Sequence, residues 1–267
     1  MSALDPLLVL ELAAIGTCTG FLAGLLGIGG GMVMVPFVTL ILSHRGFPAE
    51  YTVKVAVATS LATIAFTSLS SLRAHHRRGA VLWPVVRTLA PGIVVGSALG
   101  AQVAHLLPAK VMGVFFAVFV GFSATRMLLD RKPKPSRTLP GAAATFGVGT
   151  VIGGVSALVG AGGAFISVPF MTWCNVKIHD AVGTSAALGF PIALAGTVGY
   201  IWAGHGLPQM PPGSVGYLWL PGLVFISAAS MLMAPLGAHI AHRTDIRPLR
   251  KMFAFVLYGL AAYFVLR

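Results

Sequence analysis

The chain reads as an all-α polytopic membrane protein. It is built from two inverted-topology repeats of about five hydrophobic segments each, with helices broken or re-entrant at glycines. Three observations give this reading. Of 267 residues, 57% are hydrophobic and 9% charged, with a mean hydropathy of +0.89, where a soluble domain carries about 25% charged residues. Apolar stretches recur along nearly the whole length. One motif occurs twice, as Gly27-Ile-Gly-Gly-Gly31-Met-Val-Met-Val-Pro36-Phe37 and as Gly160-Ala-Gly-Gly-Ala164-Phe-Ile-Ser-Val-Pro169-Phe170.

Aligning Pro36 with Pro169 pairs Gly27, Gly29 and Gly30 with Gly160, Gly162 and Gly163. It also pairs Gly20 with Gly153 and Thr17 with Thr150. A second shared block follows each copy, Ala56-Val-Ala-Thr-Ser60 and Ala181-Val-Gly-Thr-Ser185. The repeats are bounded as residues 1–129 and 139–267. Residues 130–138 form a basic cytoplasmic linker, where Pro133 and Pro135 among charges cannot continue a helix.

The first half offers the apolar stretches Leu7–Leu42, Val53–Leu72, Val81–His105 and Val111–Leu129. The second offers Leu139–Cys174, Ala181–Ala203, Val215–Ala241 and Met252–Leu266. A span needs about 20 apolar residues. As one helix Leu7–Leu42 would run ~54 Å against a ~30 Å hydrocarbon core. Each long first stretch is therefore expected to break at its glycines, as a hairpin of two short spans or as a helix plus a re-entrant segment. Either form returns the chain to the side where it started.

Charge sets the orientation. Twelve of the eighteen Lys and Arg fall in three segments: Arg73–Arg78, Arg126–Arg137 and Arg243–Lys251. With the linker in the cytoplasm, broken first stretches put all three on that side, as the positive-inside rule requires. The N-terminus and the Lys/Arg-free loop His205–Ser214 then lie outside. The halves are antiparallel, with both termini outside. The net charge of +12 is thus a face for anionic lipid, and no nucleic-acid motif accompanies it. Cys18 and Cys174 are expected to be small buried hydrophobes. The N-terminus has no basic n-region, so the first apolar stretch is expected to belong to the mature protein.

In hydrocarbon, irregular backbone is tolerated only where protein or a water-filled cavity covers it. Each glycine cluster opens a new apolar segment, so its free N–H groups would stand at a helix start, which carries about +0.5 charge and binds anions. A duplicated, glycine-broken hydrophobic segment is the pointer to a transporter's midplane site, against the plainer role of glycine in close helix packing. Gly29, Gly30, Gly31, Gly162, Gly163 and Ala164 are the candidate anion-binding positions. Thr59, Ser60, Thr184 and Ser185 are candidate hydroxyl donors, or else helix–helix ties. Arg87, six residues into a span, either attracts anions or snorkels to the basic face. Glu11 reads as interfacial, and any proton coupling would fall to histidine because no carboxylate lies clearly at mid-membrane. His239 and His242 form too weak a set for a metal, and no metal or other cofactor is expected. His105 and His242 follow matched Gly-Ala pairs and read as structural end-caps. An enzyme is not expected: Gly154-Val-Ser156-Ala157 lacks the final glycine of membrane serine proteases, and the residue matching Ser156 in the first half is Ala23. The glycine cluster also lacks the pattern of a dinucleotide loop.

Gly24-Leu-Leu-Gly-Ile-Gly-Gly-Gly-Met-Val-Met-Val-Pro-Phe37, with Val55-Ala-Val-Ala-Thr-Ser-Leu61, closely resembles the TauE/SafE sulfite exporter family. The second copy does too, as do Arg77-Arg78-Gly79, Leu99-Gly-Ala-Gln102 and Leu236-Gly-Ala-His239. The resemblance implies a multi-pass permease of the cytoplasmic (inner) membrane, moving a small sulfur-containing anion such as sulfite, sulfoacetate or a related sulfonate, with export as the expected direction. The second copy departs in carrying Ala164 where the first has Gly31. Partners are the anion and the bilayer, with no nucleic acid. Proton or ion coupling and a homo-oligomer stay open, as do transport of another small anion or a cation and a non-transporting membrane scaffold.

Overall fold

A computed structural model describes residues 5–26, 31–129, 138–208, 210–241 and 247–266. Five helices precede the linker: α1 (Pro6–Leu26), α2 (Gly31–His44), α3 (Ala49–Arg77), α4 (Trp83–Leu106) and α5 (Ala109–Leu129). Five follow it: α6 (Ala142–Val159), α7 (Ala164–Trp173), α8 (Ile178–Ala203), α9 (Leu220–Ala241) and α10 (Arg247–Leu266). The order within each half is the same: a broken pair, a long helix, then two more. Among the described residues, seven of these helices are long and apolar enough to cross a membrane, while α2, α7 and the apolar part of α10, Lys251–Val265, are shorter. The linker residues 130–137 and His242 lie outside the described residues.

Both long first stretches are broken where the glycines stand. With 14 residues α2 is about 21 Å long, and with 10 residues α7 is about 15 Å. Neither crosses a ~30 Å core alone. Arg45, just past α2, reaches back to Asp5 at 3.3 Å and to Glu11 at 3.2 Å on α1. The end of α2 therefore lies beside the start of α1, and the pair is a hairpin. The end of this hairpin away from the glycines forms a niche of about 370 Å³ lined by Asp5, Glu11, Phe37, His44 and Arg45 among others.

Local chemistry sets the other boundaries. Glu50 lies in the first turn of α3, and His75, His76 and Arg77 in its last, each matching the helix dipole. Past that end Gly79 takes φ 69°, and the amides of Gly79 and Ala80 return to the carbonyls of His76 and His75. Pro84 sits in the first turn of α4, where a missing N–H costs nothing. Before α9, Ser214–Val215 (β1) and Leu218–Trp219 (β2) pair antiparallel, with Ser214 opposite Trp219 and Val215 opposite Leu218. The segment read from sequence as apolar span from Val215 thus begins as a hairpin. Gly216, with φ 58°, holds the first central turn position, where tight hairpin turns require positive φ.

α3 and α8 are the central helices, each 61% buried over its most apolar window, against 28–44% for the other long helices. They pack on each other, α4 lies along α6 and α1 along α9. The first helix of each half therefore rests on the fourth helix of the other half. Both crossings are made by glycine. A Cβ at Gly100 of α4 would stand 2.7 Å from the Gly154 carbonyl of α6, and one at Gly16 of α1 would stand 2.6 Å from the Ile226 carbonyl of α9. Backbones meet directly, as membrane helices without a hydrophobic driving force require. Ser230 of α9 adds a bond of 2.9 Å to the Gly16 carbonyl and lies 3.3 Å from Thr19. Cys174 is buried, as expected, but Cys18 is exposed on α1, because α1 turns only one face to α9 and leaves the other for lipid.

Candidate functional site

The second glycine break is built as follows. α6 stops where Gly160 turns to φ 71°, and the amides of Gly160 and Ala161 both return to the Ser156 carbonyl, at 2.9 and 3.1 Å. Gly163, with φ 77°, opens α7. Its carbonyl accepts from the amides of Ile166 (3.0 Å) and Ser167 (2.9 Å) and from the Ser167 hydroxyl (3.0 Å). Between those two turns the amides of Gly162, Gly163, Ala164 and Phe165 donate to no acceptor among the described residues. These are the orphan donors of a helix start, where the backbone dipoles leave net positive charge. In a bilayer such donors need a covering partner, and an anion fits them. Three of the four, Gly162, Gly163 and Ala164, are positions expected from the sequence.

One side chain joins them that the sequence reading set aside. Ser156 is 1% exposed, and its Oγ makes no hydrogen bond among the described residues. A Cβ on Gly163 would stand 3.2 Å from that Oγ, so the bare hydroxyl abuts the orphan amides. A buried polar atom without a partner is rare. The usable sequence signal was its spacing, one turn before the glycine cluster.

Both halves reach this break. The Ser60 hydroxyl of α3 donates to the Gly160 carbonyl at 2.9 Å. Gly31, the first residue of α2, is pressed against the same place: a Cβ there would lie 3.1 Å from Ser60 Oγ and would collide with the Gly160 carbonyl. Ile64 of α3 lies 3.5 Å from the Cβ position of Gly162, and Gly189 of α8 faces the Gly162 carbonyl. Gly29 and Gly30 lie outside the described residues.

The predicted hydroxyls divide by role. Thr59 accepts from the Trp219 amide at 3.3 Å, just before α9. Thr184 accepts from the Leu82 amide at 3.0 Å, just before α4. Each threonine thus ties a central helix to the start of the fourth helix of the opposite half. Ser185 shares its proton with Ser167 at 2.7 Å, and Ser167 in turn holds the Gly163 carbonyl. Arg87 stands apart, exposed near the start of α4 and without an ion pair among the described residues.

A second polar cluster lies about a turn and a half toward the N-terminus of α3, where the sequence reading passed over Lys54 inside an apolar run. Lys54 donates to the His105 carbonyl at 2.8 Å. The His105 ring meets the Tyr217 hydroxyl at 3.0 Å, giving His105 a place at the end of α4. Burial, with Tyr51 and Glu50 nearby, pushes the Tyr217 phenol up to about 12, so it stays neutral at physiological pH.

The comparisons with known proteins agree in kind. The family model for the sulfite exporter TauE/SafE matches residues 12–264. A probable membrane transporter protein of Haemophilus influenzae is 34% identical over 249 residues, covering 92% of this chain and 94% of that protein. The probable membrane transporter proteins YdhB and YjnA of Bacillus subtilis are 29% and 25% identical. They cover 69% and 91% of this chain, and 76% and 94% of their own lengths. No solved structure matches the chain. The chain belongs to the TauE/SafE family of membrane transporters and is not an enzyme.

Proposed function

We propose that this TauE/SafE transporter exports a sulfur-containing oxyanion, such as sulfite, sulfoacetate or a related organosulfonate, across the cytoplasmic membrane by alternating access. One observation carries the reading: four consecutive amides without an acceptor among the described residues, Gly162 to Phe165, stand at a half-buried helix start beside the bare hydroxyl of Ser156. Sulfite and sulfonates offer three oxygens on one centre, which suits several convergent donors and no fixed cation. Gly29, Gly30 and Gly31 supply the matching donors from the first half. Thr59, Ser60, Thr184 and Ser185 have hydroxyls that already hold protein groups in this conformation, so their part is to place the breaks and to exchange partners when the site opens. Arg87 collects anions at the cytoplasmic face.

The exchanged packing of α1 with α9 and α4 with α6 supports an inverted repeat about one central site, with 1–129 and 139–267 as its units. Rocking of the halves about α3 and α8 would then open the site to each side in turn. Flux of labelled sulfite, sulfoacetate and thiosulfate in proteoliposomes, with and without a pH gradient, tests the proposal. Saturable sulfite or sulfonate flux is the expected result. No flux of any anion leaves a membrane scaffold, and flux of cations alone overturns the anion site.

A further inference from the structure

Lys54 is a buried cation that makes no ion pair among the described residues. It is 3% exposed although it sits near the start of a membrane-crossing helix. An ammonium has three N–H donors and a full positive charge. One donor goes to the His105 carbonyl at 2.8 Å, and no other acceptor and no carboxylate pairs with it among the described residues. Glu50, one turn earlier on α3, is exposed and makes no ion pair with it.

The remaining surroundings are aromatic. The Tyr217 ring lies 6.0 Å from Nζ, at the limit of cation–π attraction. Tyr217 itself packs against Tyr51, His105 and Tyr200 at centroid distances of 6.3, 6.0 and 6.0 Å. Lys54 thus sits between the end of α4 and the 214–219 hairpin, which Tyr200 of α8 backs. Capping the carboxyl end of α4 accounts for one donor and part of the charge. It leaves two N–H groups without an acceptor among the described residues, and the nearest opposite charge, Glu50, stays exposed and outside ion-pair distance, whereas buried charges are ordinarily paired.

The location fits an anion. Lys54 precedes Ser60 by six residues on α3, about 9 Å along the helix axis. Ser60 holds the Gly160 carbonyl, so Lys54 lies one step from the second break toward the N-terminus of α3. The same hairpin serves both places, because Trp219 bonds Thr59 while Tyr217 bonds His105.

We propose that Lys54 is an anion station: with the Tyr217 hydroxyl beside it, the ammonium binds a small oxyanion between the glycine breaks and the outer face. The station is closed in this conformation, and displacement of the 214–219 hairpin admits the ion. Its place on a transport route rests on the reading of the breaks as a substrate site, whereas the binding itself does not.

The test uses the full-length protein in detergent, with sulfite and sulfate as probes and thermal unfolding as the readout. Wild type gains an anion-dependent rise in Tm. Lys54→Met, which keeps the stem and removes the charge, requires about tenfold more anion for the same rise, and Lys54→Arg keeps the response. If Lys54→Met does not fold, Lys54→Gln, which retains a donor for the His105 carbonyl, carries the comparison. Equal anion responses in wild type and the neutral variants overturn the station, as does failure of both variants to fold even at saturating sulfite; Lys54 then only caps α4. A Lys54-dependent response without sulfite or sulfonate flux in proteoliposomes sinks the sulfur-exporter reading and leaves the station standing. Normal flux with unchanged response in Lys54→Gln does the reverse.

Discussion

Thr59-Ser60 and Thr184-Ser185 are the same two residues in matched blocks, yet the structure treats the pairs differently. The threonines behave alike: each accepts an amide at the start of a fourth helix in the opposite half. The serines do not. Among the described residues, Ser60 crosses to the Gly160 carbonyl of the second break, while Ser185 meets Ser167 of its own half. The threonine ties are shared evenly between the halves, and among the described residues the hydroxyls of Ser60, Ser156 and Ser167 meet at the second break. The opening residues of α2 and α7 show the same split. Gly31 is jammed against Gly160 and Ser60, so a methyl there has no room, whereas α7 begins with Ala164, half-buried and bearing a Cβ. The sequence departure from Gly31 to Ala164 follows from that packing.

The largest effect is expected at Gly163. Leucine there must hold φ 77°, which costs a side-chain-bearing residue roughly 1–2 kcal/mol. It must also displace Ile192, which sits against the Cβ position, an overpacking cost of about 1–3 kcal/mol. Gly163→Leu should abolish flux while membrane expression persists. Full activity would remove the second break from the mechanism. Gly31→Ala tests the asymmetry beside it. It should lose about 1–3 kcal/mol by overpacking, while Ala164→Gly loses about 1 kcal/mol of helix propensity. Equal effects in thermal unfolding would mean that the two helix starts are equivalent after all.

Next come the threonines. Thr59→Val and Thr184→Val each leave a buried amide without its acceptor, for which about 1–3 kcal/mol is expected. Their symmetric placement predicts losses that agree within about 0.5 kcal/mol and that add in the double variant, because distant sites are independent. Unequal losses would break the even scaffold.

How much of this was legible follows from which forces act locally. The glycine breaks were readable because a 36-residue apolar run cannot cross a bilayer once, and length is a property of the sequence itself. Exposed Arg87 and the interfacial ties of Asp5 and Glu11 follow from the cost of charge in lipid. Ser156 was not legible as a site residue, since its meaning lies in the absence of a partner, and only packing shows that. Lys54 was hidden for a related reason: one lysine near the end of an apolar span ordinarily snorkels to water, and only the closing of the end of α4 and the 214–219 hairpin over it keeps it buried. That hairpin escaped notice because Val215 to Trp219 continue into the apolar run of α9 and read as its start, while Gly213 and the two prolines before it read as loop.

The serines separate next. Ser60→Ala strands the Gly160 carbonyl, which has no other partner among the described residues, and about 1–3 kcal/mol of stability should go with it. Ser185→Ala leaves Ser167 still bonded to the Gly163 carbonyl, so its loss should stay near the net worth of one hydrogen bond, about 1 kcal/mol. A reversed order would place the tie between the halves at the α7 start instead of at Gly160.

The smallest stability effect belongs to Ser156, and it is the most informative for mechanism. Its Oγ has no partner among the described residues, so Ser156→Ala removes an uncompensated buried hydroxyl and should leave Tm unchanged or slightly raised. Ala23 already occupies the matching place in the first half, so alanine is compatible with such a helix end. If the hydroxyl donates to the transported oxyanion, KM should rise about tenfold, the worth of a hydrogen bond to a charged group, with expression intact. A structural serine would give the opposite pattern, with lower Tm and an unaltered KM. Stability and affinity therefore move in different directions only if the free amides of Gly162 to Phe165 and the Ser156 hydroxyl act on one ion.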